Sequence, residues 1–200
     1  MRGKLLLATN NKAKVREYRS LLQDLPVELV LPSELGITTT VSEVGDSLEE
    51  NARLKATVLA VESHLLTLAD DSGLEVDALG GEPGRLSARY AGEGASDRDR
   101  IDYLLARLKG VPWEKRTARF RCVIAIATPD GEVELCSGEC PGFITFEPRG
   151  EQGFGYDPVF YLPQLDKTMA ELPLEIKNQV SHRGKAARKA YQWLRRKYNL

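Results

Sequence analysis

The chain has 200 residues, of which 42% are hydrophobic and 28% charged, and its formal net charge is -1. This composition is typical of a folded protein, and the length suffices for a core without disulfide or metal support. Proteins that bind duplex nucleic acid are usually distinctly basic, so the near-neutral charge of this chain disfavours a duplex-binding protein. No stretch approaches the ~20 apolar residues of a membrane span or has the core of a signal peptide, so we expect a cytoplasmic protein.

In the first half of the chain, strand and helix patterns alternate. The patterns predict a strand over 5–9, a helix over 12–25, a strand over 27–31 and extended chain over 38–44. Asp46, with Glu49 in a capping box, is expected to begin a second helix that runs to about residue 62. A strand over 66–69 then ends at two carboxylates and a Ser-Gly turn, and an irregular loop covers 80–84.

The second half reads as hairpins and two further helices. Ser96 is expected to cap a helix that stops before Gly110. Strands are predicted over 117–128, 132–137 and 143–146, a glycine-broken loop over 150–157, and a basic C-terminal helix from Ser181. The order of elements favours a single α/β domain over residues 1–200 with a mixed sheet flanked by helices.

The cysteines Cys122, Cys136 and Cys140 are odd in number, which does not suggest a disulfide framework. Their spacing lacks the CxxC pairs of structural zinc sites. We expect small buried hydrophobes in or near strands.

Asp70 and Asp71 form the most informative pair in the sequence. Adjacent carboxylates repel, so such a pair suggests a cation, and an oxygen-rich cluster suits Mg²⁺ that also binds substrate phosphates. Glu43 could face the same turn. The alternative is a solvated strand-end turn, because Asp, Ser and Gly are turn residues.

A second candidate is the segment Thr9-Asn10-Asn11-Lys12-Ala13-Lys14 between a strand and a helix start. Backbone N–H groups at a helix N-terminus, together with a lysine, bind anions, although this is not a Walker A loop. Lys55 shares a helix face with Asn51 and could meet a phosphate. The alternatives are a capped helix and an amphipathic helix with solvated charges.

Two later segments could contact a base. Gly153–Pro158 holds aromatic residues between glycines, and an aromatic ring there either stacks on a base or closes a core. Ser181-His182-Arg183 puts basic residues at the positive end of a helix, which suggests an anionic or carbonyl-bearing partner for them and for Lys177.

These segments, in this order, resemble the Ham1-like family of inosine and xanthosine triphosphate pyrophosphatases. The resemblance is carried by Thr9-x-Asn11-x-x-Lys14, Glu49-x-Asn51-Ala52-x-x-Lys55-Ala56, Ala69–Leu74, Leu79-Gly80-Gly81-x-Pro83-Gly84, Ser87–Tyr90, Gly153–Pro158 and Ser181-His182-Arg183. Asn10 departs from the pattern, since glycine is frequent there.

The resemblance implies hydrolysis of inosine, deoxyinosine and xanthosine triphosphates to monophosphate and pyrophosphate, with Mg²⁺. It also implies a homodimer and an elongated sheet with two lobes around a central substrate cleft. We expect Asp71 to accept the proton of the attacking water and Asp71, Glu43 and Asp70 to hold the metal. Substrate contacts are expected from Thr9, Asn10, Asn11, Lys12, Ala13, Lys14, Lys55, Ser72, Phe154, Gly155, Tyr156, Asp157, Lys177, His182 and Arg183.

Two other classes stay open at this point. A related pyrophosphatase for modified pyrimidine nucleotides would use the same phosphate chemistry. A regulator that binds nucleotides without turnover would keep the lysines but would have no use for the carboxylates. Binding of nucleic acid or membrane is not expected.

Overall fold

The computed structural model describes residues 3–199. The helices are α1 Lys12–Leu21, α2 Leu48–Ser63, α3 Asp97–Arg107, α4 Leu174–Val180 and α5 His182–Tyr198. The strands are β1 Gly3–Leu7, β2 Val27–Val30, β3 Leu66–Val76, β4 Pro83–Gly84, β5 Thr117–Ala127, β6 Val133–Ile144, β7 Phe160–Leu162 and β8 Lys167–Thr168.

The strands form one mixed sheet in the order β2-β1-β3-β5-β6-β7-β8, with β4 paired to β3. β1 is parallel to β2 and β3, whereas β4, β7 and β8 make antiparallel pairs. The predicted α/β class with a mixed sheet flanked by helices is therefore confirmed.

The chain divides into two compact units. The first comprises the residues up to Asp71, Cys122–Gly138 and the chain from Arg183 onward; the second comprises Ser72–Arg121 and Glu139–His182. Two units agree with the two lobes expected from the resemblance. The substrate cleft and the single domain over 1–200 stay predictions.

Hydrophobic clusters cover both faces of the sheet in the first unit. In β1, Leu5 and Leu7 belong to the cluster that holds Tyr18 of α1, while Leu6 belongs to the cluster of α2. β5 alternates in the same way, because successive side chains of a strand point to opposite faces. Burial on both faces explains why these strands read as continuous apolar runs.

The second unit is built around a separate cluster. α3 contributes Ile101 and Leu104, and β6 and β7 contribute Ile144 and Phe160. The predicted Ser96 cap is confirmed, since its hydroxyl accepts the Asp99 N–H at 3.2 Å.

The sequence interpretation of β3 was wrong at its centre. β3 continues through the Ser-Gly pair predicted to be a turn. A Cβ on Gly73 would lie 2.3 Å from the Gly84 carbonyl oxygen, so this glycine permits close approach of the neighbouring strand. Its partner Pro83–Gly84 is a short strand and not the irregular loop expected.

Several boundaries also differ from the predictions. α1 ends at Leu21, four residues early, and β6 runs unbroken where two strands were predicted. Ser47, not Asp46, caps α2, because its hydroxyl accepts the Glu50 N–H at 3.1 Å. α4 was not predicted, and 38–44, predicted to be extended, belongs to none of the strands of the sheet. None of the described helices has the length and apolar character needed to cross a membrane.

Candidate active site

Asp70 and Asp71 point to opposite faces of β3. Leu68 belongs to the cluster on the α1 side and Ala69 to that on the α2 side, and the alternation continues through the two carboxylates. The two acids therefore do not converge on one point, as a turn would have allowed. Each has its own set of partners.

Asp70 is buried between two cations. The ammonium of Lys14 donates to one carboxylate oxygen at 2.9 Å, and the guanidinium of Arg183 donates to the other at 3.2 Å. Arg183 also donates to Glu17 of α1 at 2.7 Å. The side chains of Asp70, Glu17 and Arg183 are each at most 4% exposed. The result is a chain of alternating charges that links β3, α1 and α5.

This network fixes the ionisation of Asp70. Burial alone would raise the pKa of its carboxyl group, but the charges of Lys14, Arg183 and Lys55 outweigh burial and hold the pKa well below its usual range. The neighbouring Cys122 responds in the opposite sense, since burial and the charge of Asp70 raise the pKa of its thiol to about 12. The cations that engage its oxygens therefore favour the ionised form of Asp70.

Asp71 faces α2 and has a weaker set of partners. Asn51 donates its side-chain amide to one carboxylate oxygen at 3.0 Å, and the Lys55 ammonium lies 3.6 Å from the other. The same ammonium donates to Glu43 at 2.8 Å and to the backbone carbonyl of Asp70 at 2.6 Å. Two carboxylates therefore share one lysine.

The electrostatics at Asp71 differ from those at Asp70. Burial and the charge of Glu43 raise the pKa of Asp71, despite Lys55 and the amide of Asn51. Burial opposes the charge of Lys55, but Asp71, Asp70 and Glu43 together raise its pKa. A carboxylate with a raised pKa can accept a proton. Asp71 and Glu43 carry two negative charges against the one positive charge of Lys55, so the pair could also bind a further cation.

The residue set around Asp71 fits Mg²⁺ better than a transition metal. Among the described residues, no group of three or more His, Cys, Asp or Glu side chains is placed to hold a metal ion. Mg²⁺ is usually held by one or two carboxylates together with substrate phosphates. Asp71 and Glu43 could supply those carboxylates, and metal ligation by Asp71, Glu43 and Asp70 stays a prediction. The three cysteines are buried in strands, as predicted.

The segment before α1 forms a cap with a cavity beside it. Asn11 accepts the backbone N–H groups of Ala13 and Lys14 at 2.9 and 3.1 Å, which is the capped-helix alternative. Thr9, Asn10 and Lys12 line an open cavity of about 510 Å³, together with Arg16 and Arg19. That volume lies within the usual range for ligand sites.

The second unit holds the predicted aromatic loop. Asp157 accepts the Phe154 N–H at 2.9 Å and pairs with the buried ammonium of Lys177 on α4. The same ammonium lies 4.9 Å from the centre of the half-buried Phe154 ring. Lys177 thus anchors the loop and borders the ring that was predicted to stack on a base.

The remaining residues of this loop are held by the second unit itself. Tyr156 donates its hydroxyl to the Ser87 carbonyl at 2.8 Å, and Gly155 donates its N–H to Asp97 at 2.7 Å. His182 stacks on Phe120 with ring centres 4.6 Å apart. Tyr156 is buried in the core, so its ring closes the core, which was the alternative to stacking on a base.

The predicted residues thus form a first group around Asp70 and Asp71 and a second around Phe154. Arg183, predicted beside the base, joins the first group through Asp70 and Glu17. Ser72 continues β3 beside Asp71. Sequence reasoning missed Glu17 and Asp97. Glu17 lies three residues after Lys14 on the same helix face, which was the available signal.

Comparison with known proteins assigns the family. The sequence pattern of the Ham1 family matches residues 5–193. The chain belongs to the Ham1 family.

Relatives of this Ham1 protein carry the name dITP/XTP pyrophosphatase. One from Desulforamulus reducens is 52% identical over 195 residues, which is 98% of this chain and 97% of the relative. One from Geobacter sulfurreducens is 51% identical over 183 residues, 92% of each chain.

Solved structures agree with the sequence relatives. A HAM1 protein from Coxiella burnetii matches with a TM-score of 0.88 and 40% identity, covering 96% of this chain and 98% of that one. The Ham1 protein of Staphylococcus aureus matches with a TM-score of 0.87 and 43% identity, covering 97% of this chain and 99% of that one.

Proposed function

We propose that this chain hydrolyses deoxyinosine, inosine and xanthosine triphosphates to the nucleoside monophosphate and pyrophosphate. The observation that carries the proposal is the buried Asp71, whose raised pKa and placement beside Glu43 and Lys55 suit a proton acceptor at a phosphate site. The names of the family relatives support the substrate class. Removal of such nucleotides from the pool agrees with the expected cytoplasmic location, and the homodimer implied by the family resemblance is part of the proposal.

Mg²⁺ is the proposed cofactor, and Asp71 with Glu43 would hold it. When bound, the ion would neutralise phosphate charge and orient the phosphates. Asn51 keeps Asp71 in place through its 3.0 Å hydrogen bond, and Asn51 is itself fixed because its side-chain oxygen accepts the Gly45 N–H at 2.8 Å. The chain thus supplies an oriented carboxylate.

In the proposed reaction, Asp71 accepts a proton from the water that attacks the α-phosphorus. The P–O bond to the leaving pyrophosphate breaks as the new P–O bond forms. Lys14 and Lys55 compensate the charge on the departing pyrophosphate. Their side chains are 15% and 14% exposed, so both lysines are mostly buried but keep some contact with solvent.

The second group is proposed to recognise the base. Phe154 offers a ring face, and Lys177 and His182 are the donors expected to meet a purine 6-keto oxygen. Inosine and xanthosine carry that oxygen, whereas adenosine carries an amine, which would leave the donors unpaired. The predicted contact of Arg183 with the base remains part of this proposal.

A substrate panel tests the proposal. Inosine, deoxyinosine, xanthosine, guanosine, adenosine and a modified pyrimidine triphosphate would be compared with and without Mg²⁺, with the product identified as pyrophosphate or single phosphate. We expect Mg²⁺-dependent pyrophosphate release from the first three. Preference for adenosine triphosphate would exclude Lys177 and His182 as donors to a 6-keto oxygen. The absence of turnover on every nucleotide would favour a protein that binds nucleotides without hydrolysing them.

A further inference from the structure

The aromatic loop Gly153–Pro158 is attached to α3 as well as to α4. The backbone N–H of Gly155 donates to one carboxylate oxygen of Asp97 at 2.7 Å. Asp97 is the first residue of α3 and lies 58 positions before Gly155 in the sequence. The proposed hydrolysis involves Asp97 in no step, although this contact reaches the residue next to Phe154.

Asp97 is itself held by Arg100, one turn further along α3. The guanidinium of Arg100 donates to the second carboxylate oxygen of Asp97. It also donates to the backbone carbonyls of Ala88 and Ala95 at 2.8 and 2.6 Å. The side chain of Arg100 is only 18% exposed. A guanidinium with three acceptors is restricted in orientation, so the carboxylate that it holds is restricted as well.

The two peptide groups that flank Phe154 are both bound to carboxylates. The Phe154 N–H donates to Asp157 at 2.9 Å, and the following N–H, that of Gly155, donates to Asp97. Because peptide groups are planar, holding the groups on both sides of a residue restricts its φ and ψ and hence the direction of its Cα–Cβ bond. Asp97 and Asp157 together therefore set the direction in which Phe154 points.

The two carboxylates differ in what else they hold together. Asp157 is buried and pairs with the buried Lys177, so its replacement would disturb the core of the second unit. The side chain of Asp97 is 44% exposed in its pair with Arg100. Exposed ion pairs contribute little to stability, so the contact with Gly155 can be removed with little loss of folding free energy.

We propose that Asp97 is a positioning residue for base recognition, which holds Phe154 in the orientation that stacks on a purine. Asp97 acts through the Gly155 N–H and not on the nucleotide itself. The inference rests on the proposed function, because it requires Phe154 to meet the base. A ring that is already oriented loses less conformational freedom on binding, so the base binds more tightly. Every base has a face that can stack, so the gain applies to all purine substrates but not to a ligand without a base.

Steady-state kinetics of Asp97→Ala test the inference. We expect the KM for deoxyinosine and xanthosine triphosphates to rise about tenfold with kcat unchanged, since stacking on one ring can supply such a factor in binding. Inorganic tripolyphosphate, which has no base, should inhibit the variant and the wild type with the same Ki. Asp97→Asn should behave like wild type, because its side-chain oxygen can still accept the Gly155 N–H.

A double-mutant cycle with Phe154→Leu distinguishes an effect through the ring from a general effect on the site. In the Phe154→Leu background, Asp97→Ala should raise KM no further, because the two residues act as one unit. Hydrogen exchange of 153–157 in the free chain should be faster in Asp97→Ala, while the urea midpoint of unfolding stays near that of wild type. A second tenfold rise in the double variant, or a tripolyphosphate Ki that rises together with KM, would overturn the inference.

Asp102→Ala is the matched control, because Asp102 lies on the same helix and is 55% exposed in its pair with Arg98. It should leave KM and the exchange of 153–157 unchanged, and a rise in KM equal to that of Asp97→Ala would also overturn the inference. If the wild-type chain hydrolyses no nucleotide, the proposed function fails. Unchanged exchange of 153–157 in Asp97→Ala is a separate result that overturns the role of Asp97 without any nucleotide present.

Discussion

Asp70 and Asp71 are neighbours in sequence but differ in chemistry. Asp70 pairs with Lys14 and Arg183 and has a lowered pKa, whereas Asp71 shares Lys55 with Glu43 and has a raised pKa. The cause is the two-residue period of β3, which sends the carboxylates to opposite faces. One acid is therefore suited to holding structure and the other to accepting a proton.

We expect Asp71→Asn to lower turnover at least a hundredfold, since loss of a general base costs about 10²–10⁴ in rate. Because its folded pKa is raised, Asp71 contributes stability only at low pH, and that contribution is lost as pH rises through the folded pKa. The variant should thus be at least as stable as wild type at pH 7. Steady-state rates and urea unfolding would measure both, and near-normal turnover would contradict the assignment.

Asp70→Asn should destabilise the chain by about 3–5 kcal/mol at pH 7, because it removes the buried anion between Lys14 and Arg183 and leaves Arg183 with Glu17 alone. The pKa of Asp70 is lowered, so its contribution is present above the ordinary aspartate value of 3.8 and is lost as pH falls below it. Denaturant unfolding at several pH values would measure this.

Asp102→Asn is the matched control, since Asp102 is 55% exposed in its pair with Arg98. Exposed ion pairs contribute little to stability, so this variant should unfold like wild type. Equal stability of the two variants at pH 7 would show that Asp70 is not part of a stabilising network.

At the scale of elements, β3 depends on its glycine. The side chain added by Gly73→Ala would meet the Gly84 carbonyl oxygen at 2.3 Å, so β4 must move away. We expect a loss of about 1–3 kcal/mol of stability, as for other overpacked sites. Thermal unfolding would measure it.

Gly3→Ala is a suitable control for Gly73→Ala, because a Cβ at Gly3 meets nothing within 4 Å and its φ is not positive. If Gly73→Ala were as stable as this control, the close approach of β3 and β4 would not require glycine at position 73.

The pair of Lys177 and Asp157 joins α4 to the aromatic loop. Lys177→Met leaves a buried carboxylate without its cation, so we expect a loss of about 3–5 kcal/mol of stability. The Phe154 loop should then exchange its amide hydrogens faster, since Asp157 also accepts the Phe154 N–H. Hydrogen exchange of residues 153–157 would measure this, and unchanged protection there would contradict the anchoring role.

At the scale of the whole molecule, charge decides which partners are possible. The net charge of -1 leaves no global attraction to phosphate polymers, although the last turn of α5 carries Arg195, Arg196 and Lys197. We expect no measurable binding to duplex DNA at physiological salt, because such binding depends on the number of phosphates neutralised. Fluorescence anisotropy would test this, and salt-dependent binding lost on replacing Arg195 and Arg196 would contradict it.

Periodicity predicted most elements correctly, because apolar alternation and helix caps are local properties of the chain. The strand at 117–128, the hairpin after it and the Ser96 cap needed no knowledge of distant residues. The Ser-Gly pair was misread because glycine permits both turns and close strand contact, and only the position of Gly84 distinguishes them. Helix α4 has only seven residues, and its apolar residues Leu174, Ile176 and Val180 are too few to establish a helical period.

Motif order and hydrophobic period are local properties of the chain, so the fold class, the family and the charged residues that could meet a nucleotide were predictable from the amino-acid order. Which of these charges neutralise one another became known from the folded arrangement. Arg183 lies 113 positions after Asp70. Burial raises the pKa of Asp70, but the charges of Lys14 and Arg183 outweigh it and lower that pKa, whereas burial and Glu43 raise the pKa of Asp71. Ionisation depends on distance and burial in three dimensions, and neither can be read from neighbouring letters.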